Sequence, residues 1–413
     1  MEAEDHLPLF TLQHSSSFTA SEIAPHPHHN SDPSWTAIRS AASLTPDGHL
    51  RLRDLQVLRP LGSGNLGRVF HCRLRGSSSE FALKVVETDG DSSSSRATHA
   101  VNEARALAQL DHPFLPTLYA TIATPRHTCL LIDYCPGGDL HSLLRRFRRL
   151  PTPAVRFYAA EVLLALEYLH LKGLVYRDLK PENVLRRSDG HIMLSDFDLC
   201  FKAEVVPTVV WSTTSRSRSR SQSQREVYPE LVAEPVSAFS RSCVGTHEYL
   251  APEVLTRGGY GCGIDWWAFG VFVYELLYGR TPFKGGTKGG TLRNIVSRPL
   301  VFPDMEGVDG GDWAARDLIE RLLVKDPKRR LGAVKGAAEV KAHPFFEGVK
   351  WALVRWYRAP GKVGGSGERR RCGRREKGGR RRRWWWGGLK GVKLGWGSGG
   401  GGKSGCKSRL KWV

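Results

Sequence analysis

Four polar side chains that follow one another closely give the strongest chemical signal in the sequence. Asp178, Lys180 and Asn183 lie in the stretch Tyr176–Asn183, and Asp196 follows a short apolar run. Transfer of a phosphoryl group needs a carboxylate to orient the attacking hydroxyl, and oxygen ligands to hold magnesium against the phosphates. We predict that Asp178 orients the hydroxyl and that Lys180 neutralises charge on the transferred group. Asn183 and Asp196 are the predicted metal ligands. Residues that merely cap turns would explain one or two of these side chains, but not the whole set.

A glycine-rich run lies upstream, between two predicted strands. It reads Gly62-Ser63-Gly64-Asn65-Leu66-Gly67-Arg68-Val69, and glycines let a backbone approach a polyphosphate and offer amide hydrogens to it. A dinucleotide-binding fold would place a helix directly after the third glycine, whereas this chain continues as the strand-like Val69–Cys72. The run therefore predicts a hairpin that covers the phosphates of ATP. The predicted contacts are Gly62, Ser63, Gly64, Asn65, Leu66, Gly67 and Val69.

Lys84 is a single charge within the apolar strand Phe81–Val86. Burial of an ammonium group is costly without an anionic partner, so a buried Lys84 needs one. The phosphates of ATP and the carboxylate of Glu103, on the one helix predicted in this region, are the candidates. An exposed lysine on an edge strand is the alternative, and these residues alone do not decide between the two.

The hydrophobic pattern predicts two regions that position these residues. In the first region, short β-like runs surround one helical stretch at about Ala97 to Leu110. After Pro136 the chain turns helical, and five apolar residues fall on one helix face, which predicts core packing. Those five residues are Val155, Tyr158, Val162, Leu166 and Leu169. Further helices are predicted at about Asp265 to Tyr278 and Asp312 to Leu323. The predicted fold class is α+β, with a small β-rich lobe and a larger α-rich lobe.

Three segments depart from this pattern. Residues 1–54 are rich in Ser, Pro and His without a sustained apolar period, which predicts a disordered leader. Residues 202–240, here called the insertion, contain the alternating Ser and Arg run Ser215–Ser221 and are predicted to be mobile. The tail from about Ala359 consists almost entirely of Gly, Arg, Lys and Trp, with no helical or strand period.

Composition excludes several classes of function. The chain has 413 residues and a net charge of +20, but residues 351–413 alone hold 19 basic against 2 acidic residues. The rest is close to neutral, so nucleic acid is not the expected partner of the main body. Eight scattered cysteines without a C-x-x-C pair indicate a reduced, intracellular protein. The acidic start is unlike a secretory signal, and no apolar run approaches the roughly 18 residues of a membrane span.

In their order along the chain, these motifs resemble those of a eukaryotic protein kinase. The resemblance covers about residues 55–346 and adds three matching positions, which are Glu253, Asp265 and Arg330. It implies a two-lobed kinase domain with an N-lobe at about residues 55–133 and a C-lobe at about residues 139–346. It also implies ATP and Mg²⁺ as cofactors, proteins as substrates, and structural roles for those three residues.

Finer features resemble the AGC group of Ser/Thr kinases. These features are Tyr176 in place of the usual His, Asp111–Pro116 and Gly245–Leu250. Asp196-Phe197-Asp198, together with the insertion, resembles the plant-specific eighth AGC subfamily and most closely its PINOID and WAG kinases. Most kinases have glycine in place of Asp198. Because Asp tolerates unusual backbone torsions better than most residues, we expect activity to survive this change.

By this resemblance, Ser242 matches the activation-loop phosphosite. A phosphate there would add close to two negative charges and pair with Arg177, which implies an upstream activating kinase. An unmodified loop serine is the alternative. Asp139, Glu182 and Glu275 match acids that hold basic substrate side chains, so a Ser or Thr in basic context is implied. Solvated surface acids are the alternative for each of the three.

The subfamily acts at the plasma membrane on auxin efflux carriers, which implies a cytoplasmic protein that is peripheral to this membrane. The insertion would then contact anionic lipid, with a passive linker as the alternative. We expect a monomer. A nucleotide-binding pseudokinase that scaffolds partners is the competing function.

Residues 347–413 correspond to the AGC C-terminal tail, but the match dissolves after Arg355. We predict that residues 347–413 are disordered, and we interpret their basic Gly/Arg/Trp-rich part as a frameshifted or mispredicted terminus. The alternative is an arm that binds RNA or anionic lipid.

Overall fold

The computed structural model describes residues 32–64, 66–88, 95–205, 207–215, 225–232, 234–235, 244–256, 260–303 and 313–360. Its N-terminal region is a five-stranded antiparallel sheet with the order β1-β2-β3-β5-β4. The strands are β1 (Leu55–Ser63), β2 (Arg68–Leu74), β3 (Glu80–Glu87), β4 (Leu118–Thr124) and β5 (His127–Asp133). Helix α2 (Ser95–Leu107) packs on β3, β4 and β5. This confirms the predicted small lobe with its strands and central helix.

The register of this sheet places Lys84 at its centre. Lys84 on β3 pairs with Val69 of β2 on one side and with Leu130 of β5 on the other. Apolar residues flank it along β3, where Phe81, Leu83 and Val86 are all buried. Lys84 therefore does not lie on an edge strand, and the alternative of an exposed edge lysine is wrong.

Helix α1 (Pro33–Ser43) precedes the sheet and was not predicted. Asp32 caps its N terminus through a side-chain hydrogen bond, and proline at the first helical position suits a helix start. Trp35 and Ile38 are 0% exposed, and the Trp35 ring lies 5.2 Å from that of Tyr119 on β4. Burial of two large apolar side chains is worth several kcal/mol, about 2 kcal/mol each, which orders this short segment.

The prediction of a disordered leader is therefore wrong for residues 32–54. Within them, residues Leu52–Asp54 also form a 3-10 turn that leads into β1. The small lobe has a second helix beside it, not the single one predicted. Residues 1–31 lie outside the described part of the chain.

The C-terminal region is mostly helical, as predicted. Its helices are α3 (Leu140–Phe147), α4 (Thr152–Leu171), α5 (Pro252–Leu255), α6 (Gly263–Tyr278), α7 (Lys288–Ser297), α8 (Trp313–Leu322) and α9 (Ala337–Lys341). The apolar stripe predicted on α4 is fully confirmed, since all five of its side chains are buried. Helix α6 packs against α4 and α8 and is itself buried nearly all round. These two central helices support the loops of the site.

Short strands shape the site between the central helices. They are β6 (Leu174–Val175), β7 (Val184–Arg186), β8 (Ile192–Leu194) and β9 (Phe201–Lys202). Strand β6 pairs with β9, and β7 pairs with β8. The loop from β6 to β7 carries residues 176–183, which we call the catalytic loop, and Asp196 follows β8. The two pairings therefore hold the predicted chemical residues side by side.

Part of the insertion is a regular hairpin. Strands β10 (Thr208–Ser215) and β11 (Arg225–Val232) pair antiparallel along their full lengths. The prediction of a mobile segment is therefore wrong for these two strands, whose β-branched Thr and Val residues favour extended structure. The Arg-Ser positions 216–224 between them lie outside the described residues.

The chain beyond the predicted domain is ordered at first. Residues Trp351–Trp356 form a 3-10 helix in which Val354 is buried, and the Trp351 ring lies 5.3 Å from Phe346. The prediction of disorder is therefore wrong for residues 347–360. Residues 361–413 lie outside the described part, so both interpretations of the tail stay predictions. No helix in the described ranges is long and apolar enough to span a membrane.

Candidate active site

Lys84 forms buried ion pairs with two carboxylates. Its Nζ lies 2.8 Å from Oε1 of Glu103 on α2, and 2.8 Å from Oδ1 of Asp196. Lys84 and Glu103 are both buried. Burial lowers the pKa of Lys84, but the two carboxylates outweigh burial and raise the pKa above its ordinary value. The ammonium group therefore stays charged beside the two carboxylates, and the predicted pairing with Glu103 is confirmed.

Asp178 lies at the centre of a hydrogen-bond cluster. Lys180 Nζ donates to Oδ2 of Asp178 at 2.6 Å, and Asn183 Nδ2 donates to the same oxygen at 2.9 Å. The hydroxyl of Thr246 donates to Oδ1 at 3.2 Å, and its backbone N–H does so at 3.3 Å. Lys180 Nζ also donates to the Thr246 hydroxyl at 2.9 Å. The carboxylate is thus fixed from three directions, which is what a group that must orient a reactant requires.

Asn183 and Asp196 are brought side by side by the β7–β8 pairing. The backbone N–H of Ser195 donates to the carbonyl of Asn183 at 2.9 Å, so the residue after Ser195 lies next to Asn183. Asp196 has a φ of 62°, a left-handed conformation that is costly for a non-glycine residue. Such strain at a polar residue in a cleft is typical of functional positions. In contrast, Asp198 has no positive φ, so the glycine usual there is not needed for left-handed geometry.

The glycine-rich hairpin joins β1 and β2. Gly64 N–H donates to the Gly67 carbonyl at 2.9 Å, which closes the turn. A Cβ on Gly67 would lie 2.2 Å from the carbonyl oxygen of Val85, so only glycine fits beside β3. The side chain of Leu66 packs with Val86 and Ala100, which leaves its backbone as the group available to a ligand. Gly62 and Ser63 are exposed at the end of β1, Val69 pairs with Lys84, and Asn65 lies outside the described residues.

Comparison with known proteins agrees with this geometry. Residues 55–346 match the family model described as protein kinase domain. The chain belongs to the protein kinase family. This kinase is 56% identical to the serine/threonine-protein kinase WAG2 of Arabidopsis thaliana over 82% of its own length and 74% of the relative. It is 56% identical to WAG1 of the same plant, over 81% of this chain and 73% of the relative.

A third relative is the protein kinase PINOID of Oryza sativa subsp. japonica. It is 51% identical to this kinase over 81% of this chain and 74% of the relative. The predicted resemblance to plant AGC kinases is therefore confirmed, as are the two-lobed fold and Ser/Thr protein kinase activity. Family membership brings ATP as the phosphoryl donor, a divalent metal as cofactor and proteins as substrates.

Two of the predicted structural residues of this kinase form a buried pair. Arg330 donates to both oxygens of Glu253, at 2.6 Å and 2.9 Å, in a bidentate arrangement. The guanidinium also donates to the carbonyl of Gly263 at the start of α6. This pair ties α5, which follows the activation segment, to the end of the lobe.

Asp265 at the start of α6 holds the catalytic loop. Its carboxylate accepts the backbone N–H groups of Tyr176 and Arg177, each at 2.8 Å. Arg177 itself donates from Nε to the carbonyl of Leu199 at 2.5 Å and from a terminal nitrogen to the Tyr260 hydroxyl at 3.2 Å. Its guanidinium therefore faces the segment after Asp196, while Ser242, its predicted phosphorylated partner, lies outside the described residues.

The three predicted substrate acids lie at different depths. Asp139 caps α3 by accepting the N–H of Ser142 at 2.5 Å. Glu182 is exposed and lies 3.5 Å from Nδ1 of His141. Glu275 accepts the hydroxyl of Tyr249, and burial together with the nearby charge of Glu182 raises its pKa. Glu182 and Glu275 therefore interact electrostatically, whereas Asp139 stands at the N terminus of α3.

Thr246 and Glu234 contact the residues of this site, although neither was predicted from the sequence. Thr246 lies inside the Gly245–Leu250 motif, so the resemblance contained a signal for it. Glu234, by contrast, hydrogen bonds to His170, which is 64 positions away, and lies in a segment without a recognisable pattern. No local signal could have found it.

Proposed function

We propose that this kinase uses Asp178 to orient a substrate hydroxyl for attack on the γ-phosphate of ATP. The observation that carries the proposal is the convergence of Lys180, Asn183 and Thr246 on the Asp178 carboxylate. The carboxylate accepts the hydroxyl hydrogen bond, so the oxygen points its lone pair at phosphorus. Lys180 stands beside it, where its ammonium group offsets charge on the phosphoryl group during transfer.

Asn183 and Asp196 are the residues proposed to hold Mg²⁺. The Asn183 amide uses its nitrogen for Asp178 and, among the described residues, its side-chain oxygen accepts no hydrogen bond. The Asp196 carboxylate is 40% exposed and faces Lys84. An amide oxygen and a carboxylate are hard oxygen ligands of the kind that Mg²⁺ prefers. When bound, the ion neutralises charge on the phosphates.

Lys84 and the glycine-rich hairpin are proposed to position ATP. The Lys84 ammonium reaches the floor of the cleft beside Asp196, and Glu103 keeps it charged and fixed in place. Backbone N–H groups of residues 62–67, with Val69 above them, would cover the phosphates. Weaker positioning of ATP would lower the rate by misaligning the γ-phosphate.

Basic residues near the phosphorylated Ser or Thr are the proposed substrate context. Glu182 and Glu275 present carboxylates that interact electrostatically, and Asp139 offers a third at the N terminus of α3. A panel of peptides with Arg or Ala at each flanking position tests this. Glu182→Gln is expected to reduce the preference for Arg at one position, while the neutral peptide is phosphorylated at its former rate.

Regulation and location are proposed from the relatives. Ser242 would be phosphorylated by an upstream kinase and would pair with Arg177. As a plant kinase of the WAG and PINOID type, the chain is proposed to act as a monomer on auxin efflux carriers. It would be cytoplasmic and peripheral at the plasma membrane, with the insertion in contact with anionic lipid.

An autophosphorylation assay tests the proposed chemistry. Wild type and Asp178→Asn are incubated with labelled ATP and Mg²⁺, and the phosphorylated sites are mapped. We expect label in the wild type alone, with Ser242 among the sites. A wild type that binds ATP but transfers no phosphate would instead support the pseudokinase.

A further inference from the structure

A row of buried polar groups connects the insertion to the catalytic loop. Glu234, which follows β11, is buried, and its Oε2 lies 2.8 Å from Nδ1 of His170 on α4. The other ring nitrogen of His170, Nε2, lies 2.9 Å from Oδ2 of Asp265. Asp265 in turn holds the backbone of Tyr176 and Arg177. The row therefore ends at the residue that precedes Asp178.

The end of this row is under strain. Arg177 has a φ of 69°, a left-handed conformation that costs a non-glycine residue roughly 1 kcal/mol or more. Its N–H is held by Asp265 at 2.8 Å. A strained backbone persists only where its surroundings fix it, so the position of Asp178 depends on the orientation of the Asp265 carboxylate.

The place of Glu234 is shaped to fit this side chain. Its second carboxylate oxygen, Oε1, accepts the N–H of Ala337 at the start of α9 at 3.2 Å. The neighbouring Gly336 has a φ of 55°, and a Cβ on it would lie 1.8 Å from Oε1. Glycine is therefore required beside Glu234, and both carboxylate oxygens are used.

Charge, and not only hydrogen bonding, links the three side chains. Burial lowers the pKa of His170, but Glu234 and Asp265 outweigh burial and raise the pKa to about 10. Trp266 packs edge-on against the ring, and Cys262 also lies near Glu234, with its thiol pKa raised by burial. An imidazolium donates from both nitrogens at once, whereas the neutral ring donates from only one.

We infer that Glu234 is a positioning residue for phosphoryl transfer, acting through His170 and Asp265 on the backbone that carries Asp178. The inference rests on the proposed role of Asp178. Because Glu234 belongs to the insertion, the rate of transfer depends on the insertion being docked at this place. The insertion thus lengthens the activation segment and, through Glu234, also helps to position the catalytic loop.

The test compares Glu234→Gln with wild type and with Glu320→Gln, a matched change at an exposed acid on α8. Glutamine keeps the shape of Glu234 but removes the charge that keeps His170 protonated. We expect kcat to fall about tenfold at about pH 8.5 and to stay within about threefold of wild type at about pH 6, where His170 regains its proton. The KM values for ATP and peptide should stay unchanged, and Glu320→Gln should match wild type at both pH values.

A double-mutant cycle checks that the effect passes through His170. In a His170→Gln background, adding Glu234→Gln should change kcat by less than about twofold, since the link is already broken. If Glu234→Gln does not fold, Glu234→Asp replaces it. Aspartate keeps the negative charge, but its shorter side chain places the carboxylate farther from His170. Its kcat should fall by the same factor at both pH values.

Several outcomes would overturn the inference. One is a Glu234→Gln enzyme whose kcat follows the wild-type pH profile. Another is a loss in Glu234→Gln, as distinct from Glu234→Asp, that is independent of pH and adds fully to that of His170→Gln. Donor atoms of His170, Glu234 and Cys262 lie within 4.8 Å of one another, so a metal could link them instead. With Mg²⁺ kept in excess throughout, a wild-type kcat that is lost on treatment with a zinc-selective chelator and restored by added Zn²⁺ would show this. Absence of any transfer by wild type would instead refute the proposed function.

Discussion

Asp178 is buried and hydrogen bonded, and it is also the residue proposed to contact the substrate hydroxyl. A substitution here can therefore separate an effect on activity from an effect on folding. The carboxylate is 6% exposed and receives hydrogen bonds from Lys180, Asn183 and Thr246. An Asn at this position keeps the shape and most of these contacts, but it loses the negative charge that the proposed mechanism uses to orient a substrate hydroxyl.

We therefore expect Asp178→Asn to reduce kcat by about a thousandfold with little change in the free energy of unfolding. Peptide phosphorylation and chemical denaturation measure the two effects. Asp189→Asn, a matched change at an exposed aspartate, should be indistinguishable from wild type in both. Turnover by Asp178→Asn equal to that of wild type would refute the proposed role.

Lys84 is proposed to position ATP, and it also pairs with the buried carboxylate of Glu103. Lys84→Met leaves Glu103 buried without its cation, and removal of one partner of a buried ion pair costs about 3–5 kcal/mol. We expect kcat to fall and the denaturation midpoint to fall with it. Lys328→Met, on an exposed lysine, is the matched control and should change neither.

The double variant Lys84→Met, Glu103→Leu separates these two effects. It removes the uncompensated carboxylate, so stability should largely return while transfer stays impaired. If activity returned together with stability, Lys84 would have only a structural role and would not position ATP.

At this scale, the sequence contained most of the site. Phosphoryl transfer needs specific polar side chains, and Asp178, Lys180, Asn183 and Asp196 stand in short stretches where their types and order are legible. The backbone conformation that places these side chains together could not be predicted from the sequence. The left-handed φ of Arg177 and of Asp196 depends on tertiary hydrogen bonds, and the residue type alone does not indicate it at either position.

At the scale of elements, α1 shows what a hydrophobic pattern leaves out. The helix has few large apolar residues, so no sustained period appeared in the sequence. In the structure, however, Trp35 packs on Tyr119, whose hydroxyl donates to Asp32 at 2.7 Å. The i, i+3 spacing of Trp35 and Ile38, behind an Asp-Pro start, is the signal that would have predicted it.

We expect Trp35→Ala to destabilise the kinase by about 3–5 kcal/mol, the usual loss for a large aromatic residue in a core. Trp356→Ala, which removes a tryptophan that is 73% exposed, is the matched control and should cost far less. Urea denaturation of the two variants measures the difference. Equal losses in both variants would mean that α1 does not contribute to the folded core.

The insertion is the second element whose structure the hydrophobic pattern predicted only in part. Its Arg-Ser run has low hydrophobicity and indicated a mobile segment, but β-branched residues on either side pair as β10 and β11. After β11, Glu234 attaches the chain to the C-lobe through its hydrogen bonds with His170 and with the backbone N–H of Ala337. Only contacts between distant parts of the chain specify such an attachment.

For the whole molecule, the two lobes were predictable because each has its own periodicity, with strand alternation first and helical spacing afterwards. The electrostatic link across the C-lobe was not, since it depends on the burial of His170 between two acids. That burial gives the protein a stability that changes with pH. The direction of the change follows from the pKa of His170.

The pKa of His170 rises from 6.5 in the unfolded chain to about 10 in the folded protein, because Glu234 and Asp265 outweigh the effect of burial. The stabilisation that results is complete below about pH 6.5 and is lost as pH rises through about 10. Buried thiols also reduce stability at high pH, so His170→Gln, which retains every cysteine, is the reference. We expect the excess stability of wild type over this variant, measured by urea denaturation, to shrink by more than about 1 kcal/mol between about pH 6.5 and about pH 10. A difference that stays constant over this interval would mean that His170 is neutral in the folded protein, and the charge link from the insertion to the catalytic loop would then not exist.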